Sequence, residues 1–225
     1  MVNAATRFLA LCALAVGLPG SLIWRSAVGQ QETCLPRDDI NCVGPNEQAL
    51  RVRWRNVASR RGDTLLIRLK GRAPLTFVDV PGPGDAERHY SFMGVLEPLD
   101  LILVDDRGYE SHTHWLIRPA NGRRQALECF PVLSPGGTYA FCGYGVLDEG
   151  GPQAYVAVYA VDGDTLVRQW SQDLGENEPI NPRWVSDHSF EFTTRSVRGY
   201  GGEDPACTNR VVRDAGVWRL ARCKP

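Results

Sequence analysis

Phe130 to Phe141 reads FPVLSPGGTYAF, and Asn181 to Phe192 reads NPRWVSDHSFEF. Each stretch carries apolar residues at alternate positions on either side of a predicted turn, the period of a half-buried strand. In the first, Ser134-Pro135-Gly136-Gly137 sets Pro and Gly where a type II turn wants them. Folding there pairs Ser134 with Gly137 and puts Val132 opposite Tyr139 and Phe130 opposite Phe141. The other face pairs Leu133 with Thr138, Pro131 with Ala140, and Cys129 with Cys142. The two cysteines then face each other at a non-hydrogen-bonded site, where antiparallel strands approach to about 4.5 Å, a spacing that suits a disulfide.

Outward from this hairpin, alternation continues. Leu65, Ile67 and Leu69 alternate with Leu66, Arg68 and Lys70, and Leu101 to Val104 is a short apolar run. Tyr155 to Val161 is apolar on both faces, as expected of a strand buried inside packed sheets. It runs into Asp162-Gly163, a pair favoured in tight hairpins, and Thr165 to Trp170 can return as its partner. Helices have little room, because 23 glycines and 15 prolines interrupt the chain. The ambiguous stretch is Asn46 to Arg61. As a helix it sets Leu50, Trp54 and Val57 on one face; as a strand it alternates Leu50, Val52 and Trp54 with Arg51, Arg53 and Arg55. The strand uses every apolar residue in the run and is the expectation.

The two opening stretches also repeat each other. Pro131–Phe141 parallels Pro182–Phe192, and the Asp162-Gly163 turn recurs as Asp214-Ala215-Gly216, with Asp105 to Gly108 as a candidate earlier copy. A unit of about 50 residues built from short strands marks a propeller blade. FPVLSPGGTYAF and NPRWVSDHSFEF resemble the P-x-W-S-P-D-G-x-x-I-A-F signature of TolB-like β-propeller repeats. YVAVYAVDGDTLV (residues 155–167) resembles the strand–turn–strand that completes such a blade. The resemblance covers roughly residues 100–225. The first copy has Gly136 where the signature has Asp, and the second lacks Pro-Asp-Gly. It implies an all-β, antiparallel chain of propeller-like repeats, a partial or small propeller, and a binding platform rather than a particular chemistry. A β-sandwich is the alternative.

The N-terminus carries the layout of an export signal. Arg7 precedes the apolar core Phe8–Gly20, and Ala27-Val28-Gly29 offers small residues for a signal peptidase. The expectation is a signal peptide over residues 1–29 and a single domain over 30–225, periplasmic or extracellular, with no transmembrane helix after cleavage. Retention of residues 8–24 as a membrane anchor is the alternative. The leader takes Cys12 with it, leaving Cys34, Cys42, Cys129, Cys142, Cys207 and Cys223, an even set in an exported chain. Folding about Ala215 brings Cys207 opposite Cys223, and Cys34 and Cys42 remain as the third local pair. No C-x-x-C occurs, which speaks against zinc ribbons and thioredoxin-type redox chemistry.

The chain has 25 basic and 26 acidic residues, so it lacks the global positive field that draws nucleic acid. The best metal candidate is Glu110-Ser111-His112-Thr113-His114, because His112 and His114 point to one side of a strand, as two ligands of one metal must. A cupin-like H-x-H wants an acid four or five residues on, where Arg118 and Pro119 stand. The expectation is therefore a plain exposed strand with no metal or other cofactor. Acid pairs occur at Asp105/Asp106, Asp148/Glu149, Asp162/Asp164, Glu176/Glu178 and Glu203/Asp204 and could do glycosidase work. They adjoin Gly or Pro in predicted turns, where acids make local hydrogen bonds. There is no G-x-S-x-G elbow or P-loop, and Gly199–Gly202 reads as a loop. Arg51, Arg53 and Arg55 form a local basic face for an anionic partner, or a solvated edge that discourages strand addition. The expected function is a non-catalytic binding or accessory module of the cell envelope, in sharper form an inhibitor or immunity-type protein. Its partner is a protein or another envelope component. A hydrolase acting on an envelope polymer is the alternative.

Overall fold

Leu101 to Val104 and Val156 to Val158 are fully buried at consecutive positions, which a strand allows only when both faces of its sheet are covered. The computed structural model describes residues 43–109, 111–145, 154–196 and 208–221, all within the unit Cys34–Pro225. The segment 1–29, Cys34 and Cys42, Cys207 and Cys223, Gly199–Gly202, Glu110, Asp148/Glu149 and Glu203/Asp204 lie outside the described residues.

Among the described residues the strands form four antiparallel sheets, each a meander in chain order. The first holds β1 (Ala58–Arg61), β2 (Thr64–Ile67) and β3 (Leu75–Val78). The second holds β4 (Arg88–Leu96), β5 (Leu101–Gly108), β6 (His112–Ile117) and β7 (Arg124–Leu127). The third holds β8 (Pro131–Leu133), β9 (Tyr139–Tyr144), β10 (Ala154–Asp162) and β11 (Thr165–Gly175). The fourth holds β12 (Asn177–Ser186), β13 (Ser189–Ser196), β14 (Thr208–Asp214) and β15 (Val217–Ala221).

Successive sheets share cores. Ile102, Val104 and Ile117 of the second sheet pack with Ala58, Leu65, Ile67 and Phe77 of the first. Leu101, Leu103 and Leu116 turn the other way, onto Ala140, Cys142, Ala157 and Tyr159 of the third. Val156, Val158 and Phe141 then face Phe190, Phe192, Val211 and Trp218 of the fourth. Strands β5 and β10 thus give alternate side chains to two cores, which explains their unbroken apolar runs.

The predicted hairpin forms with a different register. Leu133 pairs with Ala140, Val132 with Phe141 and Pro131 with Cys142, two residues from the expected alignment, so each side chain keeps its face. The turn explains the shift. Gly137 N–H bonds to Ser134 O at 2.9 Å, but positive φ falls on Gly137 (68°) and not on Gly136. A turn followed by a left-handed residue lengthens the loop and suits strand twist better than type II. Cys129 still reaches Cys142, across a Cα–Cα distance of 5.5 Å, diagonally instead of from the facing position.

The β14–β15 turn is also revised. Asp214 pairs with Val217, leaving Ala215 (φ 47°) and Gly216 (φ 85°) as a two-residue loop. The hairpin is therefore not symmetric about Ala215, and the ladder runs one residue off the alignment that set Cys207 against Cys223. The β10–β11 loop is Gly163-Asp164, between paired Asp162 and Thr165. The repeated strings become β8–β9 and β12–β13, and their turns meet. Asp187 Oδ1 accepts from Gly136 N–H at 2.7 Å, and Trp184 Nε1 donates to Val132 O at 2.8 Å.

The stretch Asn46–Arg61 is not one strand. Val43–Arg53 is helix α1, followed by a turn and then β1. Leu50, Trp54 and Val57 pack on the core shared by the first two sheets, whereas Val52 is 72 % exposed. The helical period wins because the chain has one apolar face to cover, and Val52 is not on it. Glu47 sits one turn before Arg51, 3.7 Å away, an i, i+4 pair that favours helix.

Candidate functional site

The loss of the strand disperses the arginine face. At 3.6 residues per turn, Arg51 and Arg53 project to different sides of α1. Arg51 lies beside Glu47. Arg53 pairs with Glu97 at 2.9 Å and lies over the Trp54 ring. Arg55 is exposed beyond the helix end. The acid pairs divide similarly. Asp162 ends β10 and Asp164 lies in the β10–β11 turn, ion-paired to Arg118, and Glu176 and Glu178 stand at the β11–β12 connection. Asp105 and Asp106, however, lie within strand β5.

Register makes the site. Strand β5 is apolar through Val104, and the pairing with β6 sets Asp105 opposite His114 and Arg107 opposite His112. Gly108 N–H to Ser111 O at 2.7 Å closes the ladder. Because side chains alternate, Asp105 follows Leu101 and Leu103 onto the face toward the third sheet, and His112 and His114 lie on that face with Leu116. The expected exposed strand is corrected here: His114 is 6 % exposed and Asp105 2 %, while His112 is half-buried. Phe130 meets the His114 ring edge-on at 6.1 Å between centroids.

Donor atoms of Asp105, His112 and His114 all lie within 4.8 Å of one another. His112 Nε2 hydrogen-bonds Asp105 Oδ1. His114 Nε2 stands 3.6 Å from the same oxygen, and Arg107 Nη2 lies 3.3 Å from Oδ2. The imidazole centroids are 4.5 Å apart. His114 Nδ1 is buried without a hydrogen-bond partner. Burial opposes charge on Asp105, yet the His112 hydrogen bond and the nearby His114 and Arg107 hold its carboxyl below the ordinary range. Burial pushes His114 down to about 4, with Asp105 opposing and His112 and Arg107 adding to the depression. His114 is therefore neutral at neutral pH.

Asp106 turns to the opposite face, where Trp115 Nε1 donates to it at 3.0 Å and Arg88 approaches to 3.6 Å. The acid sought downstream of His114 along one strand comes instead from the neighbouring strand. The signal was the pairing of β5 with β6 about a short turn, which brings residues 105 and 114 face to face.

The fourth sheet carries a second arrangement. Phe190 and Phe192 point into the core, and Glu191 between them points outward. Arg183 and Arg210 both bond the Glu191 carboxylate, and these hydrogen bonds hold it below its ordinary range. Arg219, paired with Val212 in the ladder, shares this face. No known protein family matches the chain, and no curated protein is significantly similar to it.

Proposed function

We propose that the chain is an exported, non-catalytic binding or accessory module of the cell envelope. Its four meandering sheets are propeller-like units in chain order, and it works by presenting a rigid surface. The observation that carries this reading is the fourth sheet. Phe190 and Phe192 fix its inner face in a core, while its outer face displays exposed Arg183 and Arg210 on the Glu191 carboxylate and exposed Arg219 on the same face. A surface held by a packed core loses little entropy on binding, which favours affinity. Guanidinium groups suit planar acidic partners such as carboxylates. The partner is then a protein or envelope component with an acidic face, and an inhibitor or immunity-type role is the sharper form.

The test has two parts. Intact mass of the exported form should match a chain beginning at Gln30, and retention of Met1 or Val2 would show that residues 1–29 are not removed. Capture from envelope extract should then be compared between the mature protein and R183Q/R210Q/R219Q. Salt-sensitive capture that weakens in the variant supports the reading. Equal capture removes this face from it. Turnover of a cell-wall polymer, abolished by one acid substitution, would replace the binding module with a hydrolase.

A further inference from the structure

We propose that Asp105, His112 and His114 form a binding site for one divalent first-row transition metal of the zinc type, with coordination positions left open toward solvent. This goes beyond a surface-presenting role and is independent of it. The argument begins with donor chemistry. Two imidazoles and one carboxylate match zinc, cobalt, nickel and copper, whereas calcium and magnesium prefer oxygen throughout. Zinc sites with three protein ligands keep a position for water or substrate, unlike closed four-ligand structural sites.

Placement follows. Ligand bonds of about 2.0–2.2 Å draw neighbouring donors to roughly 3–3.5 Å of each other. Donor atoms already within 4.8 Å reach that by small side-chain rotations. The backbone positions are fixed by the ladder Asp105↔His114 and Arg107↔His112, so rigid strands carry all three ligands, as a precise site requires.

The surroundings add an independent observation. His114 is buried against Phe130 and the third sheet, and its Nδ1 has no hydrogen-bond partner. A buried polar atom left unpaired is costly, and ligation of the metal through Nδ1 would remove that cost. Asp105 is almost fully enclosed, with Arg107 on its second oxygen, an outer contact of the kind that orients ligating carboxylates. His112 is the member nearest solvent, which gives the cation an entry path. Among the described residues the donor set is these three side chains.

The experiment uses the purified full exported chain, stripped with chelator and dialysed, then titrated with zinc chloride alone by calorimetry. Cobalt substitution supplies a visible spectrum that reports coordination. The expected result is one zinc per chain, a zinc-dependent rise in Tm, and at least ~100-fold weaker binding in His112→Gln, in line with the large losses seen when metal-site groups are removed. Asp105→Asn, a near-isosteric change, should do the same. Since His112 is half-buried, His112→Gln should fold, and its circular dichroism spectrum verifies this. No saturable binding at 100-fold molar excess of zinc over chain overturns the proposal. So does binding that survives unchanged in folded His112→Gln and Asp105→Asn, because the metal would then sit elsewhere.

Discussion

Phe190→Ala should be among the most damaging single substitutions in this chain. Phe190 is 0 % exposed, with ring centroids of Phe141 at 4.5 Å, Trp184 at 5.3 Å, Phe192 at 6.1 Å and Trp218 at 6.5 Å. Phe→Ala in a core costs about 3–5 kcal/mol, the spread reflecting how far neighbours collapse into the space. Here the neighbours are stiff aromatic rings on paired strands, so collapse is poor and a loss of about 4–5 kcal/mol is expected. For a domain of this size each kcal/mol lowers Tm by about 2–4 °C, which gives a fall of roughly 8–20 °C. The assay is urea denaturation followed by tryptophan fluorescence, since Trp184 and Trp218 report on the same cluster. Val185→Ala, one strand away on an exposed side chain, should change stability by less than about 0.5 kcal/mol. A loss below ~1.5 kcal/mol in Phe190→Ala, with the slope of the transition unchanged, would refute a shared core between the third and fourth sheets.

Replacing Cys129 and Cys142 together by Ser should cost about 3 kcal/mol, the loop-entropy value for a bridge closing a ring of this length; a change under ~1 kcal/mol in the non-reduced urea midpoint contradicts it. Gly137→Ala should cost about 1 kcal/mol because its φ of 68° disfavours any side chain, and wild-type stability in that variant would mean the turn does not have this geometry. Asp187 has its carboxyl held below the ordinary 3.8 by the Ser134 hydroxyl and the Gly136 N–H. Its contribution is present above that value and lost as pH falls through the lowered one. Asp187→Asn should therefore flatten the acid limb of the stability profile below about pH 4, and an unchanged limb would remove this link from the account.

Much of the architecture is legible along the chain because burial on two faces writes itself as consecutive apolar residues. Leu101–Val104 and Tyr155–Val161 identify the interior strands directly, and the alternation of Leu65 and Ile67 needs no tertiary knowledge. Register is less legible. The Ser134–Gly137 turn admits positive φ at either glycine, and the two choices shift the ladder by two residues without moving any side chain to the other face. Hydrophobic pattern cannot discriminate between them. Val52 misleads for a different reason: an apolar letter at a solvent position completes a strand alternation that the packed face, Leu50, Trp54 and Val57, does not use. Asp105 was visible only as half of an acidic pair near a glycine. Its role depends on what stands opposite, and a facing residue on another strand leaves no local mark in composition.

Each sheet is a single uninterrupted segment of chain, and its hydrophobic partners are the sheets before and after it. Most strand pairing therefore joins neighbours in sequence, which keeps loop-closure entropy small and favours rapid folding for a β-rich chain. Coupling between successive units also makes opening directional. The second and third sheets are held from both sides, so amide protons of β5 and β10 should exchange with deuterium only through the largest openings. The fourth sheet is gripped on one face among the described residues, and peeling it away uncovers Phe141, Val156 and Val158 at once. That sheet, like the first, is packed from one side among the described residues, so opening and self-association of partly opened chains are expected to start at an end sheet before the second or third.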